Sequence, residues 1–483
     1  MRKYVFKPLV IVSASFIATS CSLFQSKSYD WLTATNNNTE INYCLLIGQN
    51  EHSDSIERTR YTRQALGTRD ESSEINGNAN LGTPKIGALT LEGDESKGVS
   101  KKTFKVTELE HMEQKSLAGV TWDSITANGT TATWICKHGN NMTMLISNND
   151  GMAEGALSAS NWITDLPLFG YDANLSTLKK IKVGTIMGTV DQNANIQTAA
   201  AYKLIRNILE DKDDPNSGYN NQDTYNPCRE GRGFDKNKDG FYIVGNKYIS
   251  DFDNLSDSHL SLSNDKKLDH ALLATNTAYT SKNITEVLDD KGEVRGFDEL
   301  AWSENTVYKS EDYAPTKSYK ICHVYNNSAE VYLQSTMLPF YKIYANALNL
   351  DVTKIDGDGI DEVKIFNQIS SSATQFDAFL INMVTTTDGM TFVSNLAEKA
   401  AVKENKKVPS GGWDNWSDRL ETPLIFWNKQ PKTINGEVDY DTMNNKYFRY
   451  TYYVGVDAIN GGEVQGNMIV DYLNDRYVES ESK

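Results

Sequence analysis

The sequence predicts an α/β protein with parallel sheets and enough chain for two cores, and three observations carry that prediction. Apolar runs that end in a small or polar residue recur along the chain and lead into helical periodicity, the pattern of parallel strands and crossover helices. They are "INYCLLIG", "MTMLISNND", "LPLFGYD", "YKICHVYNN", "FDAFLINM", "TPLIFWNK" and "YTYYVGVD". The 483 residues, 39% of them hydrophobic, can bury two modest cores rather than one. No short-period repeat is visible, which argues against a solenoid or a propeller.

The chain opens on "MRKYVFKPLVIVSASFIATSC", with basic Arg2 and Lys3, an apolar stretch over 9–17, and small residues before Cys21. Residues 1–20 therefore read as an export signal, too short for a stable membrane span. A cysteine at the cleavage point resembles a bacterial lipobox, in which Cys21 becomes the lipidated first residue and anchors the protein to the cell membrane outside the cytoplasm. Ala18 stands where leucine is commonest in such signals, and an ordinary signal followed by a chance cysteine is the alternative. Residues 21–28 make a short polar tether. Cys44, Cys136 and Cys322 lie in apolar surroundings and read as buried thiols, with no metal-ligand spacing.

Ligands of open α/β sheets bind at the carboxyl ends of strands. The His52 loop after "INYCLLIG", Asn149 and Asp150 after "MTMLIS", Asp172 after "LPLFGY" and Asn382 after "FDAFLI" all occupy such positions. "GMAEGALSASNW" follows with small residues at helix-packing spacing, and "ANLSTLKKIKVG" reads as a helix stopped by Gly184. Residues 211–266, rich in Asn, Asp and Gly, suggest an insertion or long surface loops. The acidic, polar stretch 290–317 reads as a linker. Between "VKIFN" and "FDAFLIN" only "QISSSATQ" remains, which is short for a right-handed crossover with its helix.

The net charge of −16 argues against nucleic acid and against anionic lipid surfaces. No G-x-S-x-G elbow, phosphate loop or H-E-x-x-H occurs, and none of the six histidines pairs at zinc-ligand spacing. His52 and Asp54 read as loop or ligand-binding residues rather than a catalytic dyad, so no enzyme is expected. A neutral polyhydroxylated ligand fits the polar set better, because each hydroxyl donates and accepts. Such a ligand also wants aromatic faces, and Trp122 and Tyr332 could supply them, with core packing the equal alternative.

"GQNEHSDSIERTRYT", "LISNNDGMAEGAL" and "LPLFGYDANLSTLKKIKVGTIMGTVDQNANIQTAAAYKLIRNIL" resemble the galactose/glucose-binding members of the type I periplasmic-binding family. The order is unusual. "YKICHVYNN" resembles the family's first strand yet begins near Lys320, and "FDAFLINMVTTTDGM", "TPLIFWNKQP" and "YYVGVDAINGGEVQGNMIVDYL" follow in family order to the C-terminus. The resemblance therefore implies a circular permutant of two Rossmann-like lobes joined by a hinge, its ancestral termini bridged by 290–317. One lobe gathers 29–192 with 427–477 and a return at 273–289. The other gathers 318–426 with 193–272, the insertion included.

Carried over residue by residue, the resemblance implies sugar contacts at His52, Asp54, Arg58, Trp122, Asn149, Asp172 and Gln192 from one lobe. Glu330, Tyr332 and Asn382 face them from the other. Gln192 replaces the family's asparagine and Glu330 its aspartate, which lengthens both reaches and leaves the sugar preference open. The family's calcium loop falls on "ATNNNTEIN", where Asn36 and Asn38 remain as neutral ligands, but Ala34 there and Thr143 outside it replace expected carboxylates, so calcium is not expected and no cofactor is required. Asp235, Asn237 and Asp239 have calcium-loop spacing elsewhere, with a polar turn as the alternative. The implied function is a monomeric, lipid-anchored subunit of an ABC importer that hands a hexose to a permease and its ATPase. A pentose, nucleoside or furanose binder is one rival. A surface adhesin or structural lipoprotein that lost its pocket is the other.

Overall fold

The run Ile41, Tyr43, Cys44, Leu45, Leu46 and Ile47 is buried along its whole length, as a central parallel strand must be when helices cover both sheet faces. The computed structural model describes residues 39–49, 52–74, 81–114, 121–221, 225, 227–228, 271–274, 276–293, 317–327, 330, 332–357, 362–372, 375–383, 386–407, 418–433 and 439–482. The signal, Cys21, the tether, the "ATNNN" segment, the 235–239 loop and nearly all of the 290–317 linker lie outside these residues.

The chain enters on β1 (Glu40–Gln49) and α1 (Ser53–Ala65). β2 (Gly87–Leu91), β3 (Lys102–Gln114), α2 (Ser124–His138), β4 (Met144–Ser147) and α3 (Asp150–Leu157) follow. β5 (Leu168–Phe169), α4 (Leu175–Lys182) and β6 (Gly188–Asp191) complete this passage. After α5 (Ala194–Asp211) come β7 (Ala271–Ala274) and β8 (Thr277–Thr280). The remaining strands are β9 (Tyr319–Tyr325), β10 (Leu350–Asp356), β11 (Ala378–Ile381), β12 (Leu424–Trp427) and β13 (Thr451–Val456). Their helices are α6 (Leu338–Ala347), α7 (Glu362–Ser372), α8 (Gly389–Lys403) and α9 (Ala458–Glu481).

Among the described residues these strands form two sheets, in the orders β2-β3-β1-β4-β5-β6-β8 and β10-β9-β11-β12-β13-β7. The second sheet is parallel throughout, and the first is parallel apart from its two edge pairs. Strand order reverses between β1 and β4 in one sheet and between β9 and β11 in the other, the switch points where such sheets bind ligands. This is the predicted α/β class: a two-lobed molecule of the type I periplasmic-binding fold. α9 completes the first lobe by packing on α1. Gly462 and Gly466 permit that approach, since a Cβ at Gly462 would lie 2.6 Å from the Glu57 carbonyl and one at Gly466 2.4 Å from Ala65 Cβ.

Two expectations are corrected. Residues from 427 onward do not all join the first lobe. Trp427 closes β12, and β13 pairs with both β12 and β7, so the second lobe keeps the chain to Val456 and also claims Leu273 and Ala274. The buried run through β13 is what holds it there, since all six of its residues are covered. The crossover before β11 is not short of a helix. "VKIFN" belongs to α7, where Ile365 and Ile369 are buried one turn apart and Val363 is exposed, and the strand is the earlier "LDVTKID". Cys44 and Cys322 are buried free thiols, as the sequence suggests.

Candidate ligand-binding site

Helix α1 starts at His52, whose Nδ1 accepts from the Asp54 backbone N–H at 3.1 Å. That bond caps the helix and leaves Nε2 as the ring's donor. One turn on, Arg58 donates to Asp54 Oδ2 at 3.1 Å and to the Asn148 carbonyl at 2.9 Å. Its guanidinium lies 3.6 Å from the centre of the Tyr171 ring and 3.7 Å from Asp172. Asp172 is held at φ 113° and accepts from Gln192 Nε2 at 2.6 Å. Asn149 caps α3 by accepting from the Met152 N–H at 2.8 Å, which leaves its amide NH₂ as the group to offer a ligand.

Trp122 is also in the left-handed region, at φ 59°, with its ring edge-on to His52 at 5.8 Å. The ring lies against Gly48, where a Cβ would fall 2.2 Å from it, so the glycine at the end of β1 makes room for the indole. Asp150 stays structural. It accepts from the Thr189 hydroxyl and the Asn174 N–H, fixing the loop that carries Asp172.

From the second lobe, Glu330 and Tyr332 follow β9, with Tyr332 at the start of a single π-helical turn, Leu333–Met337. Asn382 directly follows β11. The lobes touch where Thr336 Oγ1 donates to Asn174 Oδ1 at 3.3 Å. Across this gap Glu330 lies in the field of Arg58, and Tyr332 in the fields of Asp172 and Arg58. Two further residues belong here that sequence reasoning missed. Lys429 and Lys432 follow β12, are buried, and sit in the field of Asp54 together with Glu330 or Glu57 respectively. A lysine two residues after the apolar run "LIFW" was the available signal.

Burial sets the protonation of this cluster. It pushes the Asp172 carboxyl up to about 8, against the pull of Arg58. It lowers His52 to about 4, outweighing the Asp54 charge. It raises Glu330 and lowers both lysines. Arg58 stays charged, because Tyr171, Asp54 and Asp172 outweigh its burial.

The hydrogen-bond account is incomplete in a patterned way. Arg58 Nε, Gln192 Oε1, Tyr332 Oη and both side-chain atoms of Asn382 are buried without a partner. Each such atom costs about 1–3 kcal/mol if left dry, so these are atoms that a polar ligand or ordered water would satisfy. Donors and acceptors occur together, which suits hydroxyls. No group of three or more His, Cys, Asp or Glu among the described residues is arranged to hold a metal ion.

Two α/β lobes, with a polar cluster between their switch points, are the layout of the type I periplasmic-binding fold. The family comparisons agree: residues 30–213 and residues 318–389 each match a family model described as a periplasmic binding protein domain. The chain is also similar to the D-galactose/methyl-galactoside binding periplasmic protein MglB of Haemophilus influenzae, at 37% identity over 93 residues. That stretch covers 19% of this chain and 28% of the relative. Among the described residues no helix is long and apolar enough to cross a membrane.

Proposed function

We propose that the protein is the extracytoplasmic substrate-binding subunit of an ABC importer, that it takes a hexose of the galactose or glucose type between its lobes, and that Cys21 anchors it by lipid. The observation that carries this reading is the set of buried, unpartnered donors and acceptors on Arg58, Gln192, Tyr332 and Asn382, with the Trp122 ring beside them. Hydroxyls that both donate and accept would satisfy these atoms, and the indole face suits the C–H face of a pyranose. Arg58, Asp54 and Asp172 would grip adjacent hydroxyls, and neutral His52 would donate through Nε2. The relative's galactose ligand supports the same class. Closure over the sugar would stabilise one conformer and present it to a permease.

The strand orders also support the permuted arrangement. Each sheet reads as one doubly wound unit completed by a strand from across the hinge, with the chain entering in the middle of the ancestral order. Calorimetry with hexoses, pentoses and nucleosides tests the reading. Micromolar or tighter binding confined to hexoses supports it, preference for a pentose or nucleoside replaces the substrate class, and no binding to any of them favours the adhesin.

A further inference from the structure

We propose that Tyr171 is a positioning residue that ties the ligand-gripping Arg58 to the hinge between the lobes. It rests on the reading that Arg58 holds the ligand. Tyr171 is fully buried, one position before Asp172, and offers the cleft no polar group of its own. Its ring face carries the Arg58 guanidinium at 3.6 Å, the closest cation–ring stacking among the described residues. Its hydroxyl points the other way and donates to Asn276 Oδ1 at 2.6 Å.

Asn276 stands in the crossing between β7 of one lobe and β8 of the other. Its Nδ2 donates to the Asp457 carbonyl at 2.8 Å, and its N–H donates to Asn460 Oδ1 at 3.1 Å. Asp457 lies in a second crossing, between β13 and α9, and its own N–H returns to the Ala274 carbonyl at 3.0 Å. One amide therefore joins two hinge strands and the tyrosine beneath the arginine. Gly461 clears the path, since a Cβ there would sit 2.0 Å from Tyr171 Oη and 3.2 Å from Asn276 Oδ1. The third crossing is tied in by Asn193, which donates to Thr277 Oγ1 at 3.4 Å. Any rotation of the hinge strands is thus passed to the plane of the Arg58 guanidinium through a ring that cannot tilt freely.

The test is a double-mutant cycle with two readouts on the full chain. Tyr171→Phe keeps the ring and breaks only the hinge bond, and it should weaken D-galactose binding about fivefold, the loss of one net hydrogen bond. Asn276→Ala should weaken it at least as much, and the double variant no more than Asn276→Ala alone, since both break one link. Tyr171→Leu, which also removes the ring, should weaken binding roughly 30-fold. Hydrogen exchange of the ligand-free protein supplies the second readout. In Tyr171→Phe the amides of Asn276 and Asp457 should exchange faster while those of β1 and β11 do not change. Additive losses in the cycle, or unchanged exchange at both hinge amides, overturn the proposal. If the wild type binds no galactose, the substrate reading fails, and the exchange experiment still decides the relay. If Tyr171→Phe does not fold, Asn276→Ala reads the same link.

Discussion

The Arg58 guanidinium stands 3.7 Å from the Asp172 carboxylate, near enough for attraction and beyond hydrogen-bond reach. Asp172 spends one oxygen on Gln192 instead, while Arg58 spends its two terminal nitrogens on Asp54 and the Asn148 carbonyl. A hydroxyl lodged between them would donate to one and accept from the other. Removing one partner of a buried charged hydrogen bond costs about 2–5 kcal/mol, or roughly 30-fold to several thousand-fold in affinity. Asp172→Ala should therefore weaken hexose binding by that range and leave the empty protein folded. Near wild-type affinity for both glucose and galactose would move the ligand away from this pair.

A pH dependence follows from the same carboxylate. Its pKa of about 8 in the folded protein lies above the ordinary carboxylate value, so between about 4 and 8 the folded state holds more proton than the unfolded one. Its contribution to the stability of the empty protein accordingly falls as pH rises through that window. A ligand hydroxyl that donates to the carboxylate favours the ionised form and pulls the pKa down. Binding near neutral pH should then release a proton, and affinity should rise between about pH 6 and 8. His52, near 4, stays neutral across that range and adds no proton of its own. Calorimetry in buffers of different ionisation enthalpy measures the release directly, and buffer-independent heats would remove Asp172 from the ligand's hydrogen bonds.

Trp122 owes its place to a residue that touches no ligand. Gly48 ends the buried part of β1 with no side chain, and the indole occupies the space a Cβ would take. Gly48→Ala should displace the ring and weaken binding about as much as Trp122→Ala does. Both should abolish most of the tryptophan fluorescence change on adding sugar. A full fluorescence response in Trp122→Ala would assign that signal to another tryptophan.

The strands were legible because buried parallel strands are continuous apolar runs, and each of the seven quoted runs contributes to a sheet. The polar residues at their ends were legible for a related reason: a carboxylate or amide directly after such a run has nowhere to go but the sheet's carboxyl edge. Lys429 escaped this logic because a lysine after a strand ordinarily reaches solvent, and only the opposing acidic groups explain its burial. Tyr171 escaped it as well. Its hydroxyl partner is over a hundred residues away, and no local pattern announces a contact made across the hinge. The lobe boundary at 427 rested on the family resemblance rather than on any local pattern. β13 returns to the same sheet, and only pairing in space reveals that.

Lipid attachment at Cys21 would set where the protein works, since a single processed cysteine would carry the acyl chains and the polar tether would keep the lobes off the bilayer. Cys21→Ser should shift the protein from the membrane fraction to the soluble extracytoplasmic fraction with sugar affinity unchanged. Equal membrane association of variant and wild type would locate the anchor elsewhere.

The segment between the two halves offers a last test. Glu293 is held by Lys179 on α4 at 3.4 Å, on the first lobe. Lys317 is held by Asp213 at 2.6 Å, just past α5 and before β9 of the second. Residues 294–316 thus run between Glu293, paired on the first lobe, and Lys317, paired on the second. If the chain is permuted, this stretch is only the bridge between ancestral termini, and the three hinge crossings hold the lobes together. A protease site placed near position 305 and cut after folding should give two fragments that co-elute and bind sugar within a few-fold of the intact protein. The cut chain should refold far less readily after denaturation, because joining the halves then becomes bimolecular. Loss of binding with both fragments still associated and folded would assign the bridge a part in the site and count against permutation.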